Sequence, residues 1–414
     1  MKKLLALGLA ATLTAAGLGV LAGCTDAGSD NEGPGEGTVK VGLIALHDSN
    51  STYDKNFIDA MQAACKNKGA ELVIKTGIRE TNDCYDAAID LVDQDCDVIF
   101  ADSFGHEDFV LRAARENPDV QFCHATGTKA HTEGVSNFHN AFASIYEGRY
   151  LAGVAAGMKL VEMYEADALK AENFDEDGNI KIGYVGAFPY AEVVSGYTSF
   201  YLGARSVVEE ETEMEISVTM EVSYTSSWYD LQAENDTARK LISNGAALIS
   251  QHADSMGAPN ACEAEGVPNV SYNGSTAASC PKTFIISSRI NWVPYFEYMI
   301  DCVADGEQIA TDWTGTLENG AVEVTALGQS AAEGTQAKLD EVKSQLMSGE
   351  LKVFDCSKFT VNGEHLTSYM ADVNYDTAFE KDTEAIKNGV FEESVHRSAP
   401  YFDVRIDGIT ELSS

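Results

Sequence analysis

Basic residues are scarce. The chain sets 28 lysines and arginines against 65 aspartates and glutamates in 414 residues, a formal net charge of −37. A phosphate backbone would be repelled over most of such a surface, which argues against nucleic acid as a partner. Long apolar runs are missing too: beyond the first 23 residues no stretch approaches the ~18 consecutive apolar residues that a spanning helix needs. The sequence has no Gly-x-x-x-x-Gly-Lys phosphate loop, no Gly-x-Gly-x-x-Gly, no Gly-x-Ser-x-Gly elbow and no His-Glu-x-x-His. Nucleotide hydrolysis, dinucleotide chemistry and zinc proteolysis therefore have no visible machinery, and no cofactor is expected. None of the nine cysteines has Cys-x-x-Cys or Cys/His metal spacing. The run Asp175 to Ile180 is like a calcium loop, but counting from Asn173 puts Tyr184 where the bidentate Glu must stand, so no metal is expected.

What is present begins with Lys2 and Lys3 ahead of an apolar, small-residue run, which reads as a signal peptide over residues 1–23. Its ending, Leu21-Ala22-Gly23-Cys24, resembles a bacterial lipobox with Cys24 as the lipidated residue. Residues 24–38 are polar and Gly-rich, a flexible tether. The expectation is a body exported across the cell membrane and held there by its lipid alone. The other eight cysteines, an even number in an exported chain, point to disulfides. Cys84 and Cys123 fall at one edge of the first predicted sheet and Cys65 and Cys96 at the other, so the expected pairs are Cys84–Cys123, Cys65–Cys96, Cys262–Cys280 and Cys302–Cys356.

From residue 39 the chain alternates apolar strands with amphipathic helices, and after a long apolar helix (146–163) the pattern starts again near 181. Two β-α-β series imply two Rossmann-like lobes with parallel sheets, and in such sheets ligands sit beyond the carboxyl ends of the strands. That rule selects 47–54 with Asn50, Tyr53 and Asp54, 102–105 with Phe104, 187–190 with Phe188, 226–230 with Trp228 and Asp230, and 251–255 with His252 and Asp254. Flat rings stack on a planar heterocycle while carboxylates and amides bond its edge. A helix over 377–389 and a last strand are expected in the tail.

At these segments the chain resembles the basic membrane protein family of ABC-transporter substrate-binding lipoproteins, whose characterised members include purine nucleoside receptors. The matching stretches are Ile145-Tyr146-Glu147-Gly148-Arg149-Tyr150-Leu151-Ala152-Gly153, Tyr184-Val185-Gly186-Ala187-Phe188-Pro189, Gln251-His252-Ala253-Asp254-Ser255, Asn291-Trp292-Val293-Pro294-Tyr295 and Asn117-Pro118-Asp119-Val120-Gln121-Phe122. The resemblance implies a type I periplasmic-binding-protein fold, with two lobes joined by three hinge crossings. It also implies delivery of ligand to a permease driven by a separate ATPase. By the same resemblance Tyr53 presents a ring to the purine, Asp54 contacts its edge, Phe188 and Trp228 face it from the other lobe, and His252, Asp254, Asn273 and Trp292 lie near it. Where purine nucleoside receptors often carry Asp-Ser-Asp, this chain has Asn273-Gly274-Ser275, and the family's nearby lysine has no counterpart around Ser288 to Asn291. Base and nucleoside both stay open as ligands.

The expected division is an N-terminal lobe (39–142 with about 288–318), a C-terminal lobe (143–287 with about 319–350) and an extension, 351–414, packed on them. The expected protein is a monomer. A nucleoside-processing enzyme using Asp54 or Asp254, a surface sensor or adhesin, and a receptor for another small polar solute are the alternatives on this fold.

Overall fold

The computed structural model describes residues 37–412 apart from 213–215 and 374–379. The expected leader, Cys24 and most of the tether lie outside the described residues. Among those described, no helix is long and apolar enough to cross a membrane.

The first series runs β1 (Lys40–Ile44), α1 (Thr52–Lys68), β2 (Glu71–Lys75), α2 (Asn82–Val92), β3 (Val98–Ala101), α3 (Glu107–Glu116), β4 (Gln121–Ala125), the short α4 (Lys129–Thr132) and β5 (Phe138–Ala143). Helix α1 shows how sequence sets shape. Ser51 accepts a hydrogen bond from the Asp54 backbone N–H as N-cap, Phe57, Ile58, Met61, Ala64 and Cys65 form one buried face, and Gly69 ends the helix at φ 71°.

The second series is α5 (Ile145–Glu165), β6 (Ile180–Gly186), α6 (Ala191–Glu211), β7 (Val218–Tyr224), α7 (Leu231–Ser243), β8 (Ile249–His252), α8 (Gly257–Glu265), β9 (Asn269–Tyr272) and β10 (Phe284–Ile290). Helices α5 and α6 cross so closely that a Cβ on Gly153 would lie 2.1 Å from the Phe200 carbonyl oxygen, and one on Gly203 2.2 Å from that of Tyr150. Only glycine permits that approach.

The chain then returns. Helix α9 (Val293–Asp305) packs on α1, β11 (Asp312–Gly315) joins β5 in the first sheet, and β12 (Val322–Val324) lies antiparallel to β10 in the second, before α10 (Thr335–Ser348) packs on α5. Backbone therefore passes between the sheets after β5, after β10 and between β11 and β12. Within each sheet the first five strands follow one order: β2-β1-β3-β4-β5 and β7-β6-β8-β9-β10. In this doubly wound order the crevice opens between β1 and β3 and between β6 and β8.

The tail departs from expectation. No helix forms over 380–389. Instead β13 (Met370–Ala371) pairs with β14 (Thr383–Glu384), and β15 (Ile386–Lys387) with β16 (Val390–Phe391). The reason is Asn388-Gly389, whose φ values of 53° and 78° make the two-residue hairpin turn that Asn-Gly favours. The expected last strand is β17 (Ile409–Glu411), which extends the second sheet beside β7.

The expected cysteine pairs are absent: all eight described cysteines are free and buried. Cys84 and Cys96 belong to one apolar cluster of the first lobe, whereas Cys65 and Cys123 belong to the main core. Each expected pair there joins two separate clusters, a separation that strand-edge position does not reveal. Cys280 Sγ instead contacts Asn260 Oδ1, and Cys356 Sγ the Phe354 carbonyl.

Candidate functional site

A narrow cleft opens at the two switch points. The first lobe lines it with Leu46 and His47 after β1, Tyr53 and Asp54 from the first turn of α1, Ser103 and Phe104 after β3, and Thr126 after β4. Opposite stand Glu192 in the first turn of α6, Trp228 after β7, His252 and Asp254 at and beyond the end of β8, and Tyr272 at the end of β9. The lobes touch across it. The Thr52 N–H and hydroxyl donate to the Asp254 carbonyl at 2.9 and 3.2 Å, the His47 and Tyr229 rings lie 5.2 Å apart, and the Phe104 and Tyr190 rings 5.9 Å.

The carboxyl groups differ in state. Burial works to raise Asp54, yet hydrogen bonds from His47 (N–H to Oδ1 at 2.6 Å, ring Nδ1 at 3.3 Å from Oδ2) and from Ser51 hold it below its ordinary value. Asp254 is pushed well above its ordinary value by burial and by Asp54, Glu234 and Glu192, and Asp102 beneath the cleft by burial and Asp54. The two carboxyl groups are thus pushed in opposite directions, Asp54 towards the ionised acceptor and Asp254 towards the protonated donor.

Behind them lies a buried cation. Arg149 of α5 sits 3.3 Å over the Tyr272 ring, and its Nη1 donates to the Gln251 carbonyl at 3.0 Å, while Nε and Nη2 have no protein partner. Burial, together with Arg149, pushes His252 down to about 4, so the ring is neutral. Its Nε2 stands 3.2 Å from Glu192 Oε1. Three non-glycine residues in the left-handed region frame the strand ends: Thr126 at φ 63°, Ser226 at 58° and Asn273 at 64°. Such conformations cost about 1–3 kcal/mol each and concentrate at binding sites.

Of the expected residues, Tyr53, Asp54, Phe104, Trp228, His252 and Asp254 come together on the cleft. Asn273 stands one shell back, its Nδ2 3.4 Å from Asp254 Oδ1. Phe188 packs edge-on behind Trp228, ring centroids 5.2 Å apart. Three others are elsewhere. Asn50 is exposed and its N–H bonds Asp48. Asp230 caps α7, its carboxylate accepting from the Gln232 and Ala233 N–H groups. Trp292 is sealed in the core and stacks on Phe57 at 4.5 Å. Sequence reasoning missed Glu192 and Tyr272. The strand-end rule would have found Tyr272, whereas Glu192 carries no signal among 65 acidic residues.

Residues 42–356 match the family model described as "Bmp: ABC transporter substrate-binding protein PnrA-like". The chain belongs to that family. Among similar proteins is a putative ABC transporter glucose-binding protein of Haloferax volcanii, 30% identical over 265 residues, which are 64% of this chain and 61% of that one. A purine-binding protein of Brucella abortus is 30% identical over 258 residues, 62% of this chain and 65% of that one. The chain thus matches somewhat under two thirds of the length of either relative. Among solved structures, an ABC transporter solute-binding protein from Conexibacter woesei superposes with TM-score 0.59 at 22% identity, covering 76% of this chain and 98% of that one. One from Aeropyrum pernix reaches 0.61 at 15% identity, covering 76% and 92%. Both share the two-lobed fold.

Proposed function

We propose that this protein captures a purine base or purine nucleoside between its lobes and hands it to an ABC permease powered by a separate ATPase. The carrying observation is that rings from opposite lobes, Tyr53 and Phe104 on one side and Trp228 and Tyr272 on the other, line one cleft with two carboxyl groups whose proton affinities are shifted in opposite directions. A purine edge alternates ring N–H or amino donors with bare nitrogen acceptors. Asp54, held towards its ionised form, suits the former, and Asp254, whose burial favours the protonated form, suits the latter. Because each lobe supplies part of this set, ligand favours the closed arrangement over an open one, which is how binding drives hinge closure. The purine-binding relative from Brucella supports the purine, and the family supports export and the transporter role. In this reading Cys24 anchors the body on the outer side of the membrane.

The test is calorimetry on protein unfolded, freed of bound ligand and refolded, against adenine, guanine, hypoxanthine, their nucleosides and glucose. Saturable binding of a purine is expected. Binding of glucose with no response to any purine would overturn the proposal. Release of free base from a nucleoside during the titration would move the protein to the enzyme class.

A further inference from the structure

The ligand cleft does not end at the two lobes. A second space of about 370 Å³ adjoins it, sharing Phe104, Thr126, Glu192 and Trp228 as a common border. Its far wall is Arg397, Ala399, Pro400 and Asp403 of the C-terminal extension, a stretch that lies beyond the residues matching the family. This wall is tied to both lobes. The Ser398 N–H donates to Asp312 Oδ2 of β11 at 2.6 Å and its hydroxyl to Oδ1, while Ser195 of α6 donates to the buried Glu393 at 2.5 Å and β17 pairs with β7.

We propose that segment 397–403 builds an outer compartment of the ligand site, which holds a neutral, hydroxyl-rich group carried on the bound ring. The inference rests on the purine reading above and deepens it. The two compartments differ in chemistry. The inner one has rings on both sides, whereas the outer one adds the Thr128 hydroxyl, the Arg397 guanidinium and the Asp403 carboxylate. Among the described residues, Arg397 spends two of its five N–H donors, on the Ala399 and Asp372 carbonyls, and has others to offer a ligand. Among the described residues, Asp403 takes a hydrogen bond from the Tyr369 hydroxyl and has Lys381 at 3.7 Å, so with these partners it keeps lone pairs for a ligand hydroxyl. Donor beside acceptor suits a vicinal diol. Locally Arg397 and Lys381 only balance Glu192 and Asp403, and the whole chain carries −37, so the described residues here offer an anion no surplus of positive charge.

Calorimetry of the ligand-freed full chain tests this with adenine, adenosine and adenosine monophosphate, and with the guanine and hypoxanthine series. The unaltered protein should bind a nucleoside about tenfold tighter than its base, the worth of a hydrogen bond or two to charged groups, and the monophosphate more weakly than the nucleoside. Arg397→Ala and Asp403→Asn should each erase most of that preference and leave base affinity unchanged, which also shows that the variants fold. The inference falls if base and nucleoside weaken by the same factor, if neither changes, or if the monophosphate binds best. Failure of the unaltered protein to bind any purine would instead defeat the purine reading itself, and this inference with it.

Discussion

Trp292 and Trp228 sit in two aromatic clusters made of the same residue types, and solvent reaches only one of them. Trp292 lies with Phe57, Phe100, Tyr295 and Phe296 at centroid separations of 4.5–6.2 Å, every member under 2% exposed. Trp228 lies with Phe188 and Tyr190, while Tyr190 meets Phe104 across the cleft, and those last two are 47% and 48% exposed. Ring chemistry is the same in both. What differs is whether the fold or a guest supplies the last contact. The same division runs through the carboxyl groups: Asp54 and Asp254 face the cleft, whereas Glu393 and Asp230 are taken up by the fold.

The sharpest way to break this comparison is Trp292→Ala. Removing a sealed ring from a packed core costs about 3–5 kcal/mol of stability. Denaturant unfolding should show that loss, with ligand affinity of the folded fraction close to the original. A large selective loss of affinity would return Trp292 to the site.

Glu393 tests the carboxyl side. Burial raises it from an ordinary 4.5 to about 7, even though Ser195 and Ser394 donate to it. The folded state therefore holds a proton that the unfolded chain has lost. Its stabilising contribution is complete below about pH 4.5 and disappears as pH rises through 7. Glu393→Gln mimics the protonated group, so its stability advantage over the unaltered protein should grow across that window. The shift converts to roughly 3 kcal/mol as an upper bound. Unfolding midpoints that differ by a constant amount from pH 4.5 to 8 would show that Glu393 is not the buried acid described here.

Trp228→Ala should weaken purine binding by about 1–3 kcal/mol with little effect on stability, since a guest completes its contacts. Phe188→Ala should do less, because Phe188 meets the edge of Trp228 and does not line the cleft. Calorimetry that ranks Phe188 above Trp228 would reverse the assignment.

These contrasts mark how far the sequence can be read. Most strands and helices of the two lobes were legible because periods of two and 3.6 are dictated by which face is buried. The strand-end rule found six of the residues on the cleft. Trp292 was expected on the cleft only through the family resemblance, which does not reveal that the ring is sealed in the core, here where α9 packs over α1. Strand β5, Phe-His-Asn-Ala-Phe-Ala, was missed because it is buried throughout and does not alternate. The extension was illegible for a different reason. Its strands are two or three residues long, too short for any period, and the two Asn-Gly turns, Asn362-Gly363 between the bridged Val361 and Glu364 and Asn388-Gly389, are its local signals.

Asp230 is the smallest and most exacting case. It follows a strand and neighbours Trp228 in sequence, which is why it was expected on the cleft. Its Oδ1 instead accepts from the N–H groups of Gln232 and Ala233 at 3.0 and 2.9 Å, two of the donors that the first turn of α7 leaves unpaired. A carboxylate there also meets the positive end of the helix dipole. Asp230→Ala should therefore cost about 1 kcal/mol of stability. Asp230→Asn or Ser, which keep a capping oxygen, should restore most of it. Purine affinity should stay constant in all three variants, because α7 needs only to remain formed for Trp228 to keep its place. A ligand contact would give the opposite pattern, with affinity lost in the Asn and Ser variants while their stability recovers.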